Sequence, residues 1–503
     1  MLLNTARCST IVALLLATVA LPRTATAKIA LPAILSDHAV LQRQTPIHIW
    51  GWADPNETIT AHFHQQSVTA HANAAGEWTL WLMPEPAGGP YTLTIEGSST
   101  VTRSDLLVGD VWFASGQSNM AMPLKGFSPQ MFIKNSDQEI VAANLPQVRL
   151  LQVDHKSSET PLNEITSTWT TCTPQTAANF SAVAYFFGRQ ISAHEHVPIG
   201  LIDATWGGTP IESWISLEGI ANDSSLMPLF ASRARFAKDQ NRIAAIQTAE
   251  KKQDAEALAA HRPKPVHPWH PDPASWQPAG LFNGMIAPTT LYSIKGVLWY
   301  QGESNSAPDR AALYAKLFPQ LIADWRHQWQ QGDFPFLFVQ ISSFNAPTDD
   351  WGVIRDAQRR TLSVANTAMA VSIDVGNPNN IHPADKQTVA DRLALAAEST
   401  VYGEPGEYSG PLYRQTTRDG NCLRVWFDHA KGLNSKGSAL SGFEVAGEDR
   451  HFISANAVID NDSVSVSSPS VTEPRYVRYA WPNATQANLY NSTGLPASTF
   501  TSE

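Results

Sequence analysis

The chain has 503 residues, more than one hydrophobic core accommodates, so it divides into several domains. Hydrophobic residues make up 43% and charged residues 16%, a globular composition that excludes long disorder. A formal net charge of −10 argues against nucleic acid and anionic membrane surfaces as partners.

Residues 1–27 read as an export signal. Arg7 supplies a positive start, residues 11–21 form an apolar run, and Ala25-Thr26-Ala27 suits a small-residue cleavage site. The run falls short of the roughly 20 apolar residues that span a bilayer. The mature chain is therefore expected to begin near Lys28 and to be periplasmic or secreted, with no membrane contact. Cys8 leaves with the signal, and Cys172 and Cys422 are expected to be two separate buried thiols. No Cys-x-x-Cys or His-Glu-x-x-His pattern occurs, so neither a metal nor a cofactor is expected.

Residues 28–104 alternate apolar and polar positions over 47–52, 77–81 and 91–95, with turn residues at 54–56, 75–76 and 88–90. That pattern predicts a small antiparallel β-domain. Over 105–400 the texture changes. Apolar runs at 106–114, 197–202, 296–299, 336–341 and 368–373 alternate with helical stretches such as 182–194, which predicts an α/β domain with a parallel sheet. An insertion near 220–280 combines an exposed helix at 241–261 with a proline-rich loop or lid at 263–278. Alternation returns at 423–427, 463–467 and 477–481, so residues 401–503 form a second β-rich region.

Three of the apolar runs in the middle domain end in polar turns. The first empties into Gly116-Gln117-Ser118-Asn119-Met120, placing a serine at the carboxyl end of a sheet strand, where α/β folds hold their ligands. The second ends in Trp206-Gly207-Gly208-Thr209, where glycine lets a backbone N–H approach a ligand unobstructed. The third delivers Gln301, Glu303 and Asn305 to the same sheet edge. Gly-Gln-Ser-Asn alone is a weak signal and lacks the last glycine of the Gly-x-Ser-x-Gly elbow. Three such strand ends together are a stronger one.

These segments resemble those of the sialate O-acetylesterases, within the wider SGNH (GDSL-like) hydrolases and akin to bacterial polysaccharide acetylesterases. The likeness takes in Trp206-Gly207-Gly208-Thr209-Pro210-Ile211-Glu212-Ser213-Trp214 and Trp299-Tyr300-Gln301-Gly302-Glu303-Ser304-Asn305. It extends to Ser36-Asp37-His38, Phe282-Asn283-Gly284, Ile381-His382-Pro383, Val477-Arg478-Tyr479 and Gly494-Leu495-Pro496, in order along nearly the whole mature chain. It implies an SGNH-type, flavodoxin-like parallel-sheet domain with additional β-sandwich-like domains. The activity it implies is removal of O-acetyl groups from a saccharide, sialic acid or a plant polysaccharide such as xyloglucan or xylan.

The resemblance also implies roles. Ser118 is the nucleophile and His382 its base, the latter following the last predicted strand of the α/β domain. The oxyanion donors are the N–H of Ser118 and of Gly207 or Gly208, with Gln301 as the side-chain donor and Asn305 as the weaker alternative. One departure stands out. The family's Asp three residues before the base is Asn379 here, so the acid that orients His382 is missing from its place. Glu303 is the first choice for that acid, Asp374 the second, and a Ser–His dyad held by a backbone carbonyl the third. Trp206, Trp214 and Tyr300 are candidate sugar platforms or core, and Trp299 is expected in the core. Arg355 either reads a substrate carboxylate or serves the fold. A secreted, non-catalytic carbohydrate-binding protein is the rival reading, and only the missing Asp favours it. The oligomeric state stays open.

Overall fold

A computed structural model describes residues 28–128, 131–265, 267, 270 and 272–503; the export-signal reading of residues 1–27 lies outside them. In the N-terminal region the strands are β1 (Val40–Gln42), β2 (Ile47–Trp52), β3 (Thr58–Phe63), β4 (Gln66–His71), β5 (Glu77–Leu82) and β6 (Gly88–Glu96). β5 alternates exposed and buried residues without a break, and pairs antiparallel with β2. β3 joins β4 and β6. The long strand β7 (Thr100–Gly116) then serves both domains. Its first half pairs antiparallel with β6, and its second half enters the central sheet. The change of texture at Asp105 thus falls within one continuous strand, and Asp105 itself adopts a φ of 55°.

The central sheet adds β8 (Leu145–Gln152), β9 (Thr170–Cys172), β10 (Ile199–Thr205), β11 (Gly296–Tyr300), β12 (Phe336–Gln340) and β13 (Thr367–Val371). Its order is β13-β12-β11-β7-β10-β8-β9, parallel except for the last pair. Every residue of β10, β11 and β12 is buried, which explains their unbroken apolar runs. Helices Ala182–Glu195 and Lys386–Thr400 pack against each other, as do Tyr314–Trp329 and Trp351–Arg360. The chain leaves β7 for β8 on one side and later crosses to β11 on the other. β7 therefore lies where the winding reverses, the position at which open α/β sheets form a crevice. Register puts Gly116 opposite both Thr205 and Tyr300, so the carboxyl ends of β7, β10 and β11 coincide.

The inserted helix runs Pro228–Ala259, beginning earlier than the sequence pattern suggests, at a proline suited to a first helical turn. The proline-rich loop follows, with a short 3-10 turn at Pro273–Trp276. The C-terminal region folds as two antiparallel four-stranded sheets. Phe500 of one sheet stacks on Tyr413 of the other at 4.5 Å and meets Phe427 edge-on at 5.8 Å, which makes a sandwich core. Cys172 is buried, its thiol pushed up to about 12 by burial, and Cys422 is half-buried rather than buried; both are free.

Arg355 fastens this sandwich to the α/β domain. Its side chain is fully buried, and its guanidinium donates to the carbonyls of Ala480 (3.0 Å), Trp481 (3.2 Å), Pro482 (2.7 Å) and Asn483 (3.5 Å). The substrate-binding role considered for Arg355 is therefore wrong, because no substrate reaches it. Arg355→Met strands the Trp481 and Pro482 carbonyls, while those of Ala480 and Asn483 keep Thr499 Oγ1 and Phe344 N as donors, and is expected to cost about 3 kcal/mol or more. In a thermal melt that is a fall of roughly 6 °C or more.

Candidate active site

Ser118 begins a single helical turn, Ser118–Ala121, directly after β7. The turn needs glycine before it: Gly116 has a φ of 129°, and a Cβ there would lie 2.2 Å from the Tyr300 carbonyl oxygen. Gln117 ties the turn to its neighbour, its N–H donating to Tyr300 O at 3.0 Å. Its side-chain oxygen accepts from Gly302 N (3.3 Å) and Ser304 N (3.1 Å). Ser118 is half-buried, and its hydroxyl makes no hydrogen bond among the described residues. Gly207 closes the other side, and a Cβ at that position would sit 3.3 Å from Ser118 Cβ. The N–H groups of Ser118 and Gly207 have no acceptor among the described residues.

Asn119, buried beside the serine, is the hub of the site. Its Nδ2 donates to Glu303 Oε1 at 2.5 Å and to the Ile381 carbonyl at 3.1 Å, and its Oδ1 accepts from Lys386 Nζ. The residue after Ser118 thus touches the residue before His382 directly. That contact brings the serine turn and the histidine loop together.

His382 is held by its own loop. Its N–H donates to Asn380 Oδ1 at 2.9 Å, and its ring meets Phe127 edge-on at 5.5 Å. Nδ1 is buried without a partner, which leaves Nε2 as the nitrogen open to solvent. Burial, followed by the nearby charge of Lys386, pushes the imidazole down to about 4.

None of the three proposed means of orienting His382 is realised as a hydrogen bond. Glu303 is buried and raised by that burial, but one oxygen is held by Asn119 and the other has no partner. Asp374 is turned away, in a two-fold ion pair with Arg392 at 2.7 and 2.8 Å. No backbone carbonyl of the described residues accepts from Nδ1. Asn379, in the place of the usual acid, is exposed.

The proposed side-chain oxyanion donors are also committed elsewhere. Gln301 is fully buried, and its Nε2 donates to Thr209 O (3.2 Å) and Asn305 Oδ1 (2.7 Å), which uses both amide hydrogens. Asn305 donates to Glu212 Oε2 at 2.9 Å while its Oδ1 accepts from Ile211 N at 2.9 Å. Glu212 in turn receives Arg310. The two residues thus brace the double-glycine turn, and Gln301 has no amide hydrogen left for a substrate. Gly208 completes that turn at a φ of 75°. Its carbonyl accepts from Trp276 Nε1 at 2.8 Å, which anchors the end of the proline-rich loop over the turn.

Of the aromatic candidates, only Trp206 reaches the surface. It is half-buried and stacks flat on His155 at 4.4 Å. Trp214 and Tyr300 are fully buried, and so is Trp299 as expected. Trp214 donates to Thr209 Oγ1 at 3.0 Å and packs edge-on against Trp299. The sugar-platform reading of Trp214 and Tyr300 is therefore withdrawn, since both lie in the core beneath the strand ends. Phe127, Trp276 and Lys386 escaped the sequence reading. The first two sit in irregular loops, and nothing in the pattern His382-Pro383-Ala384-Asp385-Lys386 marks the lysine as buried.

Residues 108–258 and 269–398 match the family described as carbohydrate esterase, sialic acid-specific acetylesterase. The chain is 30% identical to the sialate O-acetylesterase of Mus musculus over 93% of both chains. It is 32% identical to that of Homo sapiens over 75% of this chain and 72% of the human one. A crystal structure of a carbohydrate acetylesterase from Xanthomonas citri superimposes with a TM-score of 0.81 at 35% identity, over 95% of this chain and all of the other. The chain belongs to the sialic acid-specific acetylesterase family of carbohydrate esterases, and it is a carboxylic-ester hydrolase that removes O-acetyl groups from carbohydrate.

Proposed function

We propose that the hydrolysis runs through an acetyl-enzyme on Ser118, in the manner of SGNH hydrolases. The observation that carries this reading is the Asn119–Ile381 contact, which ties the serine turn to the histidine loop. Ser118 Oγ attacks the acetyl carbonyl carbon while His382 Nε2 takes the hydroxyl proton. The resulting oxyanion is met by the N–H groups of Ser118 and Gly207. Collapse breaks the bond to the sugar oxygen, which leaves with the proton from His382. Water then attacks the acetyl-serine, His382 accepts its proton, and acetate departs with Ser118 restored.

Gly207→Ala tests the oxyanion corner, because the added methyl crowds Ser118 Cβ at 3.3 Å. We expect kcat on p-nitrophenyl acetate to fall at least about tenfold, with little change in melting temperature.

Uncharged polysaccharide is favoured over sialic acid as the substrate by the placement of cations on the site's own elements. Arg355 is buried on four carbonyls, Lys386 is buried on Asn119, Arg310 is held between Glu212 and the Trp276 ring, and the exposed Lys125 is bonded to Asn179 Oδ1 at 2.6 Å. Trp206 and the exposed Phe127 offer aromatic faces instead. Acetate release from acetylated xylan, xyloglucan and sialic acid tests this, and faster turnover of the sialic acid contradicts it. The signal-like pattern of residues 1–27 supports export to the periplasm or the cell exterior, and the exported form is expected to begin near Lys28 on N-terminal sequencing.

A further inference from the structure

Lys386 opens the helix Lys386–Thr400 and is 1% exposed. A buried lysine is destabilising unless its ammonium finds partners. Here the partners are the Asn119 side-chain oxygen and the face of Tyr300, whose ring centre is 5.6 Å from Nζ. No carboxylate lies within ion-pair reach of Nζ among the described residues; Glu303 shares Asn119 with it and acts on its charge directly only at longer range.

This arrangement decides which way the Asn119 amide points. Lysine is only a donor, while the Glu303 carboxylate and the Ile381 carbonyl are only acceptors. Oδ1 must therefore face Lys386, and Nδ2 must face Glu303 and the histidine loop. Were Lys386 absent, Oδ1 would be left buried and unpaired, and the amide would lose the contact that orients it.

We propose that Lys386 is a positioning residue for the Ser118–His382 chemistry: it fixes the Asn119 amide that joins the serine turn to the histidine loop. This inference rests on the reading of Ser118 and His382 given above. The charged and titratable groups facing Lys386 are His382 from its own loop, and Tyr300 and Glu303 from β11 and the turn after it. Asp385, one residue before it, is paired outward with Lys134 at 3.2 Å. Burial first, and the Lys386 charge second, lower the His382 pKa; burial also pulls Lys386 down to about 7, where it is still charged at the pH at which His382 titrates.

The test is Lys386→Met, which keeps chain length and removes the charge and the donor. We expect kcat on p-nitrophenyl acetate to fall about 10- to 100-fold while KM changes less than about threefold. The acid limb of kcat/KM should move up by about one pH unit. Lys386→Arg, which keeps the charge, should leave that limb in its wild-type place. A Lys386→Met enzyme with near wild-type kcat and an unmoved acid limb overturns the proposal, as does one that loses only melting temperature. If Lys386→Met does not fold, Asn119→Ser decides: loss of kcat with an unmoved acid limb supports the link, and wild-type kcat overturns it. Ser118→Ala run alongside separates the two claims. Turnover by that variant defeats the reading of the site itself, whereas an inactive Ser118→Ala beside an unchanged Lys386→Met defeats only this inference.

Discussion

Ser118→Ala is expected to lower kcat on acetyl esters by about 10⁴-fold or more, with the fold intact. The size of the effect follows from the assigned role, because no other hydroxyl replaces one that carries the acyl group. The folded state should tolerate the change. Ser118 Oγ makes no hydrogen bond to the described residues and is half-buried, so its removal leaves no buried group stranded. Surface-type substitutions of this kind shift stability by roughly 0.5 kcal/mol or less. Circular dichroism and a thermal melt on the same preparation check that point. A non-catalytic saccharide-binding protein would show no turnover in either form.

His382→Asn should cost about 10³-fold or more in kcat, and the pH dependence of the wild type should carry the mark of the same residue. A base must be unprotonated to act. Burial and the Lys386 charge hold His382 down to about 4, so it stays neutral through the mildly acidic range. The acid limb of kcat/KM, which reports the free enzyme, is therefore expected near pH 4 to 5 and not near the ~6.5 of an ordinary imidazole. A base of such low affinity for protons still works here, because the oxyanion forming beside it favours the imidazolium as the reaction proceeds. An acid limb near 6.5 would mean that His382 is not shielded as the structure places it.

Much of the fold was legible because parallel strands buried on both faces leave unbroken apolar runs, as in β10, β11 and β12. The clean alternation of β5 marked the N-terminal β-domain just as plainly. Strand ends then pointed to Ser118, Gly207 and the Gln301-Gly302-Glu303 turn, since sheet topology sends them all to one edge. What sequence did not reveal is where each polar side chain spends its hydrogen bonds. Gln301 reads as a free donor until Thr209 and Asn305 are seen to take both its hydrogens. Arg355 reads as a substrate reader until the carbonyls of residues 480–483 close around it. Trp214 and Tyr300 read as platforms because a residue next to a strand end can face either the crevice or the core. Only tertiary packing decides that choice.

The same limit applies to the acid. The usual place holds Asn379, and among the described residues no carboxylate is bonded to His382. Instead, Asn119 gathers Glu303, the histidine loop and Lys386 around a single amide. These residues are 184, 262 and 267 positions from it along the chain, separations at which no local pattern operates.

The central claim is that Ser118 itself carries the acetyl group. Rapid acid quench of the enzyme during turnover of p-nitrophenyl acetate, followed by peptide mass spectrometry, tests it most directly. The predicted result is one acetyl mass on the peptide containing Ser118, absent from Ser118→Ala. An acetyl group found on another residue, or turnover with no covalent species, would contradict the account.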